Sequence, residues 1–127
     1  MRAEGERGRA CRHVTALEPD PFRSLVTGCL TALVLPLWYG VRQGDQLVLR
    51  ERTYGEWTGN WTCRRVTHAQ TSVETRALAK GWGLYCLNNA AENGSELNRL
   101  QAELADALAS GRSAYDFWQA LTRKDCT

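Results

Sequence analysis

Between positions 50 and 65 the chain sets four arginines among three aromatic residues, and this is the stretch best equipped for binding chemistry. Arg50, Arg52, Arg64 and Arg65 fall on two strands that read as neighbours, with Tyr54, Trp57 and Trp61 in or beside the loop between them. Arginines on one face supply planar, bidentate donors for phosphate and base edges, and aromatic rings supply stacking platforms, the combination used for single-stranded or flipped-base recognition. The competing expectation is cross-strand pairing with Glu51 and Glu56 on a solvated face. A second aromatic pair, Trp38 and Tyr39, follows Pro36 and stands beside Arg42. It either clamps a base, at roughly 1 to 3 kcal/mol per stack, or packs on the apolar strand face or under the C-terminal hairpin.

Nucleophiles and metal ligands are sparse. Cys11, Cys29, Cys63, Cys86 and Cys126 are an odd set, widely spaced, with no C-x-x-C pair. Such a set predicts reduced thiols in a cytoplasmic compartment, with neither a disulfide framework nor a zinc site. His13 and His68 do not complete a metal site at these spacings, and no cofactor is expected. Cys29, Cys63 and Cys86 fall in or beside apolar strands and read as small core residues. A Cys–His dyad using His68 has no local signature, and Glu74, Glu92 and Glu96 read as lone surface acids. No catalytic residue emerges from these patterns.

The 127 residues suffice for one domain with one core. The net charge of +2 conceals 14 Arg against 2 Lys, a bias that leans towards nucleic acid but equally suits a GC-rich coding sequence. Positions 24–41 carry no charge, yet Ser24, Thr27, Gly28, Thr31, Pro36 and Gly40 interrupt the run, so no membrane span is expected. The first twelve residues lack an apolar core and predict no secretory signal.

The elements that would position these groups follow from periodicity and punctuation. Residues 1–12 read as a flexible basic arm, and "CRHVTAL" as a first strand. "PDPFRSLVTG" reads as a helix with Asp20 as N-cap, Pro21 at the first helical position and Gly28 at its stop. "LTALVL" is a strand ended by Pro36, "VRQGD" a turn, and "DQLVLRER" a strand alternating Leu47 and Leu49 against Val48 and Arg50. "TYGEWTGN" reads as a loop, "WTCRRVTHA" and "GWGLYCLN" as strands. Residues 90–127 turn helical. Leu97, Leu100, Leu104 and Leu108 form one stripe capped by Ser95 and stopped by Gly111, and Ser113 opens a second helix carrying Tyr115, Phe117, Trp118 and Leu121. The class is α+β: a small barrel with a flanking helix and a C-terminal helical hairpin packed on it or extending it.

This order of helix, Gly, strand, Gly-Asp turn and charged strand resembles the ASCH domains of the PUA-like superfamily, closest to the small phage and bacterial ASCH-like proteins described as RNA-binding. The resemblance runs over residues 13–89. Gly28 holds the first position of the family's G-x-K-x-x-E-x-R signature, Gly44-Asp45 its Gly-Asp, "LVLRER" (47–52) its charged strand, "WTG" (57–59) its loop, and "RRVTHA" (64–69) and "GWGLYCL" (81–87) its later strands. The Lys, Glu and Arg of the signature are replaced by Leu30, Leu33 and Leu35, and Thr31 remains beside the Lys position. A leucine exchanges no proton, so the general acid–base chemistry of that site is lost.

The resemblance implies a PUA-like barrel, and the lost signature together with the arginine and aromatic pattern leads to the expectation that it binds RNA, single-stranded nucleic acid or a modified nucleoside without covalent catalysis, through Thr31, Trp38, Tyr39, Arg42, Arg50, Arg52, Tyr54, Trp57 and Arg64. Two alternatives stay open. One is an amidohydrolase acting on an acylated nucleoside such as N4-acetylcytidine, or a ribonuclease, with a rearranged site using Thr31 or His68. The other is an interaction module that forms a homodimer through residues 95–121.

Overall fold

The computed structural model describes residues 11–123. In chain order the elements are β1 (Arg12–Leu17), α1 (Pro19–Val26), β2 (Ala32–Pro36), a 3-10 turn (Leu37–Tyr39), β3 (Gln46–Thr53), β4 (Glu56–Thr71), β5 (Trp82–Leu87), α2 (Gly94–Ala109) and α3 (Ala114–Arg123). The fold is α+β, an open mixed sheet of order β1-β3-β4-β5-β2 with three helices. β1 runs parallel to β3, and every other pair is antiparallel. β4 is long enough to serve both halves. Its first part pairs with β3 and its last part with β5, and the register shifts between Val66 and His68, as at a bulge that bends a strand.

Alternation along β3 creates two cores. Leu47 and Leu49 point to an inner face shared with Leu25, Leu33, Leu35, Val66 and Tyr85. Val48 points to an outer face, where α2 and α3 cover it with Leu100, Phe117, Trp118 and Leu121, and Leu97 and Leu104 pack at the margin. The apolar stripe of the hairpin is therefore engaged within the chain over Leu97, Leu100 and Leu104, while Leu108 and Tyr115 stay exposed. The uncharged run 24–41 is shared among α1, β2 and the 3-10 turn, and no helix among the described residues is long and apolar enough to cross a membrane.

Two polar devices fix the strands. Gly44 takes φ +93°, a conformation L side chains rarely adopt, so the chain turns and buries the next carboxylate. Asp45 accepts from the Cys11 amide at 3.2 Å, the Arg42 amide at 2.9 Å and His13 Nε2 at 2.8 Å, tying β1 to the turn before β3. On the outer face, buried Asn93 donates to the Cys63 carbonyl at 2.9 Å and to Gln46 Oε1 at 3.3 Å, and accepts from Asn88. That network joins the start of α2 to β3, β4 and the end of β5. It also explains why Asn93, the residue at the N-cap of α2, makes no side-chain cap.

Several local expectations are corrected. α1 begins behind Glu18 instead of Asp20, and α2 behind Asn93 instead of Ser95. The loop expected over 53–60 shrinks to Tyr54-Gly55, both at positive φ, and β4 starts at Glu56. Arg12, assigned to the arm, is the first residue of β1 and bridges Glu96 and Glu103 on α2 at 3.2 and 2.9 Å. Residues 1–10 of the arm lie outside the described residues. Cys11 is disulfide-bonded, against the expectation of reduced thiols, while Cys29, Cys63 and Cys86 are free. Ser113 does cap α3, accepting from the Asp116 amide at 3.0 Å.

Leu100 is fully buried between α2 and the outer face of the sheet. Leu100→Ala is expected to cost about 2 to 5 kcal/mol, the range for a large-to-small change that leaves a cavity. Urea denaturation followed by circular dichroism measures it, and a loss under 1 kcal/mol would show that the hairpin does not depend on this contact.

Candidate nucleic-acid interface

β3 and β4 emerge from beneath the hairpin at Arg50. Down the outer face the cross-strand partners are Val48 and Cys63, then Arg50 and Trp61, then Arg52 and Trp57. The first pair is buried under the helices. At the second, Trp61 meets Trp118 edge-on, ring centroids 5.2 Å apart, and Phe117 backs Trp118 at 5.1 Å. Beyond that point the face opens. The Arg50 guanidinium carbon lies 3.9 Å from the Trp57 ring centroid and 5.1 Å from that of Trp118, and Arg52 lies 4.9 Å from Trp57. Each contact contributes about 0.5 to 2 kcal/mol according to how far it is desolvated.

These two charges are not neutralised by carboxylates: neither Arg50 nor Arg52 has an ion pair among the described residues. Glu51, one of the expected partners, projects from the opposite side of β3. Its Oε1 accepts from Asn60 Nδ2 and Thr58 Oγ1, both at 2.8 Å, and these bonds hold its carboxyl below the ordinary carboxylate range. Burial, and then the charge of Arg52, push the pKa of Arg50 down. A guanidinium nonetheless stays charged in water-accessible pH ranges.

At the hairpin tip, Tyr54 adopts φ +50° and is 99% exposed. A two-residue turn of this kind favours Asn or Gly, and an aromatic there carries about 1 kcal/mol of strain. The ring gains no burial in return. Trp57 is 39% exposed beneath its two arginines, so the hairpin displays Tyr54, Trp57 and Arg52 together.

The other residues expected at the interface are elsewhere. Arg64 shares the face of Leu47, not that of Arg50, and is 3% exposed. Its Nη1 donates to Thr62 Oγ1 at 2.6 Å and to the Cys63 carbonyl at 2.9 Å. Burial pushes its pKa down, and the Cys63 side chain acts the other way. Arg42 is exposed in the turn before Asp45. Tyr39 packs against the inner core, as the apolar-strand expectation had it, while its neighbour Trp38 is 81% exposed. Thr31 is exposed at the start of β2, its carbonyl accepting from the Leu87 amide at 2.9 Å. Trp118 was missed as part of the interface. Its place against Arg50 depends on how the hairpin docks, which no local pattern reports.

Leu33 and Leu35 are buried in the inner core and Leu30 packs on it. Burial pushes the Cys63 thiol up to about 11, against the opposing hydrogen bond from Asn93. His68 is paired across the β4–β5 ladder with Cys86, not Cys63, and no hydrogen bond joins the two side chains. The lone acids have structural tasks: Glu74 accepts from the Thr71 amide, Glu92 from the Asn89 amide, and Glu96 pairs with Arg12 and Arg99. A groove of about 510 Å³ between α2 and α3 is lined by Glu103, Asp106, Arg112 and Phe117 among others, and none of the interface arginines reaches it. No known family model matches this chain, and no curated protein matches it.

A thiol with its pKa raised on folding stabilises the fold fully below its unfolded value, near 9, and loses that contribution as pH rises towards about 11. Stability measured from pH 8 to 11 is expected to fall more steeply in the natural protein than in Cys63→Ala. In native alkylation at pH 8, exposed Cys29 reacts while Cys63 stays protected until denaturant is added. Equal labelling of Cys63 and Cys29 would contradict this assignment.

Proposed function

We propose that this protein is a binding module for single-stranded nucleic acid, RNA in the first instance, which holds its ligand without covalent chemistry. The sheet then corresponds to a PUA-like barrel of the ASCH type, in keeping with the sequence resemblance, and its ligand surface is the outer side of the β3–β4 hairpin. The observation that carries this reading is the pair of arginines stacked on Trp57 with no carboxylate among the described residues to neutralise them. A purely structural use of Arg50 and Arg52 would favour nearby acids, because an unbalanced pair of like charges repels.

The division of labour follows from the geometry. Trp57 and Tyr54 offer faces on which successive bases stack whatever their identity, and Arg52 stands beside them for a phosphate. Arg50, held between Trp57 and Trp118, fixes the platform and adds to the local positive potential. An acylated-nucleoside hydrolase finds no proton-exchanging group at Leu30, Leu33 or Leu35, and Cys63 is held as an inert thiol.

Tryptophan fluorescence during titration with a short single-stranded RNA, repeated over a range of salt concentrations, tests the reading. Trp57→Ala is expected to weaken binding by about 1 to 3 kcal/mol, the worth of one base stack. Arg52→Ala is expected to weaken it for all sequences alike and to reduce the slope of log K against log salt by about 1. Absence of binding by the natural protein at low salt, or unchanged affinity in both variants, would overturn it.

A further inference from the structure

The inner face of the sheet carries a second charged group that the outer surface does not use. We propose that Arg64 is the centre of an anion site on that face, built to hold one phosphate group, free or carried by a mononucleotide. The inference goes beyond the RNA-binding reading and stands independently of it, because alternation places Arg64 on the opposite side of the sheet from Arg50 and Arg52.

The supporting geometry is a set of donors with few acceptors. A guanidinium has five N–H groups, and those on Nη1 serve Thr62 Oγ1 and the Cys63 carbonyl. The fork formed by Nε and Nη2 has no acceptor among the described residues, and no carboxylate pairs with it. Buried arginine without a counter-charge is rare in proteins, because it can neither deprotonate nor keep its hydration shell.

The surrounding hydroxyls suit the same ligand. Thr62 and Thr15 both partner Leu49, one from each side, so they flank it on the inner face roughly 10 Å apart, two strand spacings. Thr62 accepts from Arg64 and keeps its own proton to donate. Thr15 Oγ1 and Tyr39 Oη share one long contact of 3.4 Å, which leaves one of the two hydroxyl protons for another acceptor. A phosphate bound bidentately by the Arg64 fork would also take the Thr62 proton, and the Thr15 and Tyr39 hydroxyls, two strand spacings away across Leu49, would face the remainder of a mononucleotide and not the phosphate itself.

Calorimetric titration of the full chain with inorganic phosphate, and separately with adenosine 5′-monophosphate, at fixed ionic strength tests the site. The natural protein is expected to bind at least one of them saturably, and tighter binding of the nucleotide identifies a nucleotide as the source of the phosphate. Arg64→Met is expected to weaken that binding by at least about tenfold with single-stranded RNA affinity unchanged, since one charge-assisted bidentate contact is removed. Arg64→Lys keeps the charge without the fork and serves if the first variant does not fold; it too is expected to bind about tenfold more weakly. No saturable binding of either ligand by the natural protein, or equal binding by the natural protein and the variant, overturns the proposal.

Discussion

Everything in this molecule turns on β3 being buried on both faces. Leu47 and Leu49 close one core while Val48 closes another, and all three are fully buried. A strand so placed cannot slip by one residue without exchanging the two cores, which makes its register strongly determined. The Asp45 carboxylate at one end and the Asn93–Gln46–Cys63 network on the outer face hold that register with hydrogen bonds. Both faces of the strand are thereby assigned before any ligand is considered. What emerges where the cover ends, at Arg50 and Arg52, is what remains for binding.

Two-sided burial also separates the arginines into distinct environments. Arg50 and Arg52 continue the outer face past the hairpin and rest on Trp57. Arg64, two residues from Thr62 on the next strand, faces inward and is buried. Leaving a buried charged group without its partner costs several kcal/mol, far more than the median surface ion pair returns. The two environments therefore differ in kind: the outer pair stands at the solvent-facing end of the sheet, the inner arginine is enclosed.

Much of this was legible in the sequence where local rules dominate. The alternation of Leu47 and Leu49 against Val48 gave β3, Pro36 ended β2, and the Leu97–Leu100–Leu104 stripe gave α2. Ser113 gave the cap of α3. Local rules failed where a distant contact decides. "TYGEWTGN" is rich in turn residues, yet pairing with β3 draws Glu56 onward into β4 and leaves only Tyr54-Gly55 as the turn. Asn93 begins α2 in place of Ser95 because of partners on β3 and β4. Of the candidate interface, Arg50, Arg52, Tyr54 and Trp57 share one hairpin and could be read together. Arg64 could not be separated from them without a register, since strand parity changes sides with a single bulge. The disulfide at Cys11 was equally invisible, because an odd and dispersed set of cysteines has no framework signature.

In the proposed function, the outer surface of the β3–β4 hairpin is where single-stranded nucleic acid is held. Backbone amide chemical shifts recorded during titration with a short single-stranded RNA locate the contact residue by residue. The largest changes are expected over Arg50–Asn60 and around Trp118, with little change along β2 and β5. Changes confined to β2, β5 or the groove between α2 and α3, with the β3–β4 hairpin unmoved, would contradict it.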